Sequence, residues 1–166
     1  MQYSPMFAVY GLNLLGVEGK HKFWDRTGIL AISYATMGIL VNGMKCAFKE
    51  KRPDANARNS FPSGHTATAF MGAELLYQEY KDVSPWIGYS GYLIAAATGY
   101  LRIYNDRHYL NDVVAGACIG IVSTKFAYWL YPKVFTKSKC HRAKIQTISM
   151  PFYAEGKLGM NVSVLF

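Results

Sequence analysis

Three short segments of the chain carry cationic, hydroxyl and imidazole side chains in an order that suits phosphoryl transfer. A phosphoryl group in transfer spreads negative charge over its oxygens, so a site for it needs fixed cations and hydrogen-bond donors. Arginine can bind two of these oxygens at once, and lysine adds a mobile positive charge. The three segments are Lys45-x6-Arg52-Pro53, Pro62-Ser63-Gly64-His65 and Arg102-x5-His108-x3-Asp112.

His108 and Asp112 are the candidates for a nucleophile and its partner, and His65 is the candidate acid. Because His108 and Asp112 are four residues apart, they share one face if the segment is helical. An imidazole becomes nucleophilic when its other ring nitrogen donates to a carboxylate, which fixes the tautomer. His65 is then available to protonate the leaving oxygen, a step typically worth about 10²–10⁴-fold.

The remaining residues of the segments are candidates for holding the phosphate. Ser63 and Gly64 at a helix start offer a hydroxyl and backbone N–H groups that an anion can approach closely. Each residue alone also has an ordinary interpretation: Lys45 as a surface lysine at a helix end, Ser63 as a helix cap, and the His108–Asp112 pair as a local hydrogen bond. Only the combination indicates catalysis.

The three segments, in this order and spacing, resemble the signature of the type-2 phosphatidic acid phosphatase superfamily. That family includes lipid phosphatases, soluble non-specific acid phosphatases and vanadium haloperoxidases. The resemblance implies a helical bundle and a metal-independent phosphatase that works through a phosphohistidine, with vanadate binding as a phosphate analogue. It also implies roles for the residues: His108 as nucleophile, Asp112 as its orienting partner, His65 as general acid, and Lys45, Arg52, Ser63, Gly64 and Arg102 as phosphate ligands.

One position departs from the family pattern. Leu101 stands before Arg102, where the family usually has serine, so one polar contact near the site is expected to be missing while activity survives. A lipid-linked phosphate monoester or terminal pyrophosphate is the favoured substrate. The alternatives are a soluble acid phosphatase of broad specificity, a vanadium haloperoxidase, and an inactive module that binds lipid or anions.

Helices are predicted to position these segments, which makes the fold class all-α with a short extended or β tail. Thr27 is expected to cap a helix that runs to about Lys49, before an irregular loop at 50–61. Further helices are expected from Pro62-Ser63-Gly64 to Tyr80, from Ser84-Pro85 to about Ile103, and from Tyr109 to Tyr131, where Pro132 ends the last one. The predicted domains are a helical domain over 1–143 and a tail over 144–166.

The composition bears on partners and location. The net charge is +8, yet no nucleic-acid motif is visible, so an anionic substrate or membrane surface is the expected partner. The uncharged windows 28–44 and 83–101 are near the lower limit for membrane spans, but the mean hydropathy of +0.05 favours a soluble or peripheral domain. The resemblance implies an extracytoplasmic, periplasmic location, and a leader is not visible. The oligomeric state is not readable.

Minor features have ordinary interpretations. Three cysteines show no metal-ligand spacing, so no metal site is predicted, and Cys46 and Cys118 are expected to pack in the core. His21 and His141 are expected to be surface residues.

Overall fold

The computed structural model describes residues 1–50, 59–135, 146–154 and 157–165. The chain divides into two compact units, Met1–Pro132 and Lys133–Phe166. The domain boundary expected at 143/144 falls among residues outside the described ranges and stays a prediction, as does the irregular loop over most of 50–61.

The first unit is built from helices, as predicted. The helix that starts at Gly64 and the one that starts at Pro85 have their expected first residues, because a proline and a small polar residue stand at each entrance. The tail contains two antiparallel strands, which confirms its predicted β character. The elements are α1 Ser4–Leu14, α2 Phe23–Phe48, α3 Gly64–Tyr80, α4 Pro85–Tyr104, α5 Leu110–Phe135, β1 Gln146–Ala154 and β2 Lys157–Leu165.

Two predicted helix ends are wrong. Helix α2 begins at Phe23 rather than after Thr27, and the Thr27 hydroxyl donates to the Phe23 carbonyl within the helix instead of capping it. Helix α5 continues through Pro132 to Phe135. A proline this close to the end removes few helical hydrogen bonds, so it does not stop the helix.

Helix α3 is the centre of the first unit. It is rich in alanine and other small residues, and 12 of its 17 residues are buried. Helix α5 crosses it so closely that a Cβ added at Gly120 would lie 2.3 Å from the Ala67 carbonyl oxygen. The Thr124 hydroxyl of α5 donates to the Met71 carbonyl of α3 at 3.2 Å. These contacts fix the first half of α3 against the middle of α5.

A buried charged cluster ties α2, α3 and α5 together where α3 ends. Glu79 is 1% exposed and accepts hydrogen bonds from Arg26 Nε at 3.2 Å, from His21 and from the Tyr128 hydroxyl at 2.6 Å. His21, expected at the surface, is therefore partly buried, with its Nδ1 2.8 Å from a Glu79 carboxylate oxygen. We name Arg26, Glu79, His21 and Tyr128 the Glu79 cluster.

Two of the described helices, α2 and α5, are long and apolar enough to cross a membrane by length and composition. Only 22% and 33% of their most apolar stretches are buried, so most of these apolar surfaces are not covered by the fold. Cys46 and Cys118, expected in the core, are exposed on the same two helices.

Candidate active site

Asp112 occupies the third position of α5, where its carboxylate is held by the helix start itself. The backbone N–H of Tyr109, the residue preceding the helix, donates to Asp112 Oδ2 at 3.0 Å, as in a capping box. The residue is fully buried. An acidic residue is common at this position, because the backbone dipoles of a helix point their positive end towards its N-terminus.

His108 lies directly against this carboxylate. Its Nδ1 is 3.4 Å from Asp112 Oδ2, and the side chain is 3% exposed. When Nδ1 of an imidazole donates to a carboxylate, Nε2 is the ring nitrogen that can act as a nucleophile. The predicted pair is thus formed where the loop enters α5: His108 lies in the loop just before the helix, and Asp112 lies in its first turn.

The end of α4 determines the position of the His108 backbone. The Arg102 carbonyl accepts hydrogen bonds from the backbone N–H groups of Arg107 at 3.0 Å and His108 at 3.3 Å. Asp106 permits this reversal with a φ of 51°, which aspartate adopts more easily than most residues. The five residues between Arg102 and His108 therefore complete the last turn of α4 and form one tight turn after it.

The segment Pro62–His65 leads into α3 and is hydrogen-bonded to Asp112. The Ser63 backbone N–H donates to the Asp112 carbonyl at 3.0 Å, and the buried Ser63 hydroxyl accepts from Thr66 at 3.0 Å. On the other side of the segment, an added Cβ at Gly64 would lie 3.9 Å from Lys45 Nζ. Glycine therefore leaves room for a ligand between the backbone and the lysine.

Gly116 explains how α5 comes this close to the start of α3. A Cβ at this position would lie 2.5 Å from the Ser63 carbonyl oxygen, which is shorter than any tolerated contact. Gly116 stands one turn after Asp112, so the same close approach holds the His108–Asp112 pair near the Ser63–His65 segment.

Two cavities meet at His65, which is exposed and lines both of them. The larger has a volume of about 440 Å³ and includes Leu101, Arg102 and Asn105 of α4 and the loop after it. The smaller, about 350 Å³, includes Asn42, Lys45 and Gly64. Gln2 and Tyr3, which precede α1, line both cavities.

The electrostatic arrangement suits an anion. Lys45 stands in the last turn of α2 and Arg102 in the last turn of α4, while α3 and α5 begin beside them. Helix N-termini offer backbone N–H donors and a positive dipole end, which the two cations reinforce. A phosphate between these groups would meet positive charge from several directions.

Most of the sequence-predicted site residues are thus gathered at one end of the helical unit. Seven of the eight lie in the described residues, and the structure connects them through the cavities or through hydrogen bonds: Lys45, Ser63, Gly64, His65, Arg102, His108 and Asp112. Arg52 lies outside the described residues. Leu101, which replaces the serine usual in the family, lines the larger cavity beside Arg102.

Sequence reasoning missed Ser60. This residue is fully buried, its hydroxyl donates to Asp112 Oδ2, and its Oγ lies 3.5 Å from His108 Nδ1. The sequence held one indication of its role: Ser60 stands two residues before Pro62, so it must lie close to the Pro62–His65 segment.

Known proteins resemble this chain in sequence. A lipid A 1-phosphatase of Porphyromonas gingivalis is 42% identical over 135 residues, which are 81% of this chain and 30% of that protein. The bacitracin transport permease protein BcrC of Bacillus licheniformis is 38% identical over 76 residues, 46% of this chain and 36% of that protein. The chain therefore spans about a third of the length of these two relatives.

A solved structure shares the fold. The crystal structure of Aquifex aeolicus LpxE superposes with a TM-score of 0.60 at 28% identity, covering 77% of this chain and 81% of that one. The profile of the PAP2 superfamily matches residues 26–136, which include all three segments and every site residue that they contribute. The chain therefore belongs to the PAP2 superfamily, which is the type-2 phosphatidic acid phosphatase superfamily.

Proposed function

We propose that the chain is a phosphatase that removes a phosphate monoester or terminal pyrophosphate group from a lipid-linked substrate through a phosphohistidine. The observation that carries the proposal is the buried His108–Asp112 pair, hydrogen-bonded through the Ser63 backbone to the segment whose Gly64 and His65 line the cavities. The relatives support the same chemistry, since one is a lipid A 1-phosphatase.

In the first step, Nε2 of His108 attacks phosphorus while the bond from phosphorus to the leaving oxygen breaks. His65 gives its proton to that oxygen, and its exposure on the cavity wall suits a group that must meet the departing alcohol. Asp112 stabilises the positive charge on the His108 ring. Lys45 and Arg102, with Arg52 in the same role, neutralise the phosphoryl oxygens.

In the second step, water replaces the alcohol. His65, now neutral, accepts a proton from the water as its oxygen attacks phosphorus, and the phosphorus–nitrogen bond of His108 breaks. Inorganic phosphate leaves and both histidines return to their starting states. The cations and helix starts supply the charge that a metal ion supplies in other phosphatases, so we propose that no metal is required, with vanadate bound as an analogue of the phosphoryl group.

The substrate is proposed to be lipid-linked because the outer surfaces of the helical unit suit a bilayer. Helix α2 has 26 residues and is about 39 Å long, against about 30 Å for the hydrocarbon core of a membrane. Exposed aliphatic side chains occupy its surface and those of α4 and α5: Ile39, Leu40, Leu93, Ile94, Val114 and Val122.

Exposed aromatic residues mark one end of this apolar surface. Trp24 and Trp86, each 80% exposed, begin α2 and α4, and Trp129, 56% exposed, is near the end of α5. All three lie at the end opposite to Lys45 and Arg102. Tryptophan at membrane–water boundaries is typical of integral proteins. We therefore propose that the chain is embedded in a membrane, with its site opening at one surface, on the extracytoplasmic side.

The test is hydrolysis of two substrates by the chain purified in mild detergent. Release of phosphate from lipid A carrying a 1-phosphate is expected to exceed that from p-nitrophenyl phosphate in kcat/KM. His108→Gln should lower kcat by roughly 10³-fold or more, whereas His141→Gln, a histidine outside the three segments, should leave it unchanged. An acid-labile, alkali-stable label on the protein from radiolabelled substrate would identify the phosphohistidine.

Each contrary outcome points elsewhere. A His108→Gln variant with near-parental activity would overturn the histidine mechanism. Equal efficiency on both substrates would instead indicate a phosphatase of broad specificity. Phosphate binding without turnover would indicate an inactive binding module, and halide oxidation with vanadate and peroxide would indicate a haloperoxidase.

A further inference from the structure

Ser60 is a buried hydroxyl that touches both members of the His108–Asp112 pair. Its backbone N–H donates to the Glu50 carbonyl at 3.0 Å, which connects it to the residues just after α2. Its side chain is fully buried, and its Oγ lies between Asp112 Oδ2 and His108 Nδ1, 3.5 Å from the latter. It belongs to none of the three segments that predict the site.

The hydrogen bonds of Ser60 limit where the proton of His108 can be. A serine hydroxyl has a single proton, and Ser60 gives it to the Asp112 carboxylate. Only lone pairs of Ser60 Oγ then remain to face His108 Nδ1. Nδ1 has a second acceptor, Asp112 Oδ2, at 3.4 Å. An unprotonated Nδ1 would face two acceptor oxygens. Of the two tautomers of the neutral ring, the one with its proton on Nδ1 is therefore favoured.

The same hydroxyl fixes the carboxylate. Asp112 Oδ2 accepts from Ser60 and from the Tyr109 backbone, and these two donors lie on separate segments of the chain. Among the described residues, Oδ1 has no hydrogen-bond partner. The orientation of the carboxylate thus depends on few contacts, and Ser60 supplies the one that comes from outside α5 and its entrance.

We propose that Ser60 is a positioning residue that acts through Asp112 to hold His108 as the tautomer that carries its proton on Nδ1 and none on Nε2. The proposal rests on the proposed phosphohistidine mechanism, because only a nucleophilic Nε2 gives the tautomer a catalytic consequence. Ser60 does not contact the substrate in this role. It raises the fraction of enzyme whose nucleophile is ready and leaves phosphate binding to Lys45 and Arg102.

The first experiment compares Ser60→Ala with Ser123→Ala, a matched control on α5. Ser123 is equally buried, and its hydroxyl has no partner among the described residues. Loss of a hydrogen bond to a charged group is expected to lower kcat of Ser60→Ala by about 10- to 100-fold. KM and inhibition by vanadate should change by less than about twofold, and Ser123→Ala should keep parental kcat.

A second arm asks whether Ser60 acts through Asp112. In single-turnover assays with excess enzyme, adding Ser60→Ala to Asp112→Ala should lower the rate by less than about twofold, because residues that act as one unit are non-additive. An equal loss in both backgrounds would overturn the proposal, since Ser60 would then act independently of the carboxylate. Parental kcat in Ser60→Ala alone would overturn it as well.

A third arm needs no turnover and so separates this proposal from the proposed function. The ¹⁵N resonances of His108, assigned by their loss in His108→Gln, should show a protonated Nδ1 and an unprotonated Nε2 in the neutral parent. In Ser60→Ala the two should move towards an average as tautomers exchange, and an unchanged pattern would refute the role of Ser60. A parent chain that hydrolyses no ester would refute the proposed function, while this spectrum would still decide the tautomer.

Discussion

The Glu79 cluster gives the sharpest prediction about stability. Arg26 is fully buried and, besides its bond to Glu79, donates to the His21 carbonyl at 2.9 Å and to the Val9 carbonyl at 3.4 Å. In Arg26→Met the apolar stem is kept and the guanidinium is lost. Glu79 would then remain as a buried carboxylate with its opposing charge removed.

The magnitude follows from burial. Breaking a buried ion pair by removing one partner costs about 3–5 kcal/mol, because the remaining charge is desolvated without compensation. Glu79 keeps donors from His21 and Tyr128, which places the expected loss towards the lower part of that range. For a chain of this size, each 1 kcal/mol lowers Tm by about 2–4 °C, so Arg26→Met should lower Tm by roughly 6–15 °C.

Thermal unfolding followed by far-UV circular dichroism in detergent would measure this. Lys125→Met, which removes an exposed ammonium group on α5, is the control and should change the free energy of unfolding by no more than about 0.5 kcal/mol. Adding Glu79→Gln to Arg26→Met should recover about 1–3 kcal/mol relative to the sum of the single losses. An Arg26→Met variant that melts with the parent, or strictly additive losses, would refute the argument that the two charges compensate each other.

Three further predictions test the site and its supports. Gly116→Ala should lower the free energy of unfolding by about 1–3 kcal/mol, because the added Cβ would lie 2.5 Å from the Ser63 carbonyl oxygen. The control Gly43→Ala, whose added Cβ would have nothing within 4 Å, should be neutral or stabilising. Equal melting temperatures of the two variants would contradict the predicted clash. Lys49→Gly should raise the free energy of unfolding by about 0.5 kcal/mol, since Lys49 has a φ of 41° that glycine adopts without strain, and a lowered Tm would count against it. Phosphatase activity should stay within about twofold after treatment with EDTA and be inhibited competitively by vanadate, and loss of activity restored by a divalent ion would exclude the metal-independent mechanism.

The parts of the fold that the sequence predicts well are those with strong local signals. The starts of α3 and α4 follow from Pro62-Ser63-Gly64 and Ser84-Pro85, because proline and small polar residues favour helix entrances through their own backbone preferences. Thr27 misled the prediction of α2 because a threonine hydroxyl can also bond a carbonyl within a helix, as it does here with Phe23.

The parts that the sequence does not predict depend on contacts between distant segments. Arg26 and Glu79 are 53 residues apart, and nothing near either residue indicates that both are buried. Ser60 and Asp112 are 52 residues apart, and a serine in a polar loop has no periodic pattern that would mark it. Gly116 lies on a helix where glycine would be read as a weak helix former rather than as a place of close approach.

The candidate site combines both kinds of information. Motif spacing predicted that His108 and Asp112 would pair, and the structure shows that the pair is formed at a helix entrance, where Asp112 also accepts from the Tyr109 backbone. The Asp112 carboxylate therefore stabilises the start of α5 independently of any role that it has towards His108. It follows that stability measurements on Asp112 variants cannot by themselves report on catalysis, because the helix entrance and the histidine share one oxygen. Ser60 contacts the same oxygen without belonging to the helix, so its variants are the ones that separate the orientation of the carboxylate from the integrity of α5.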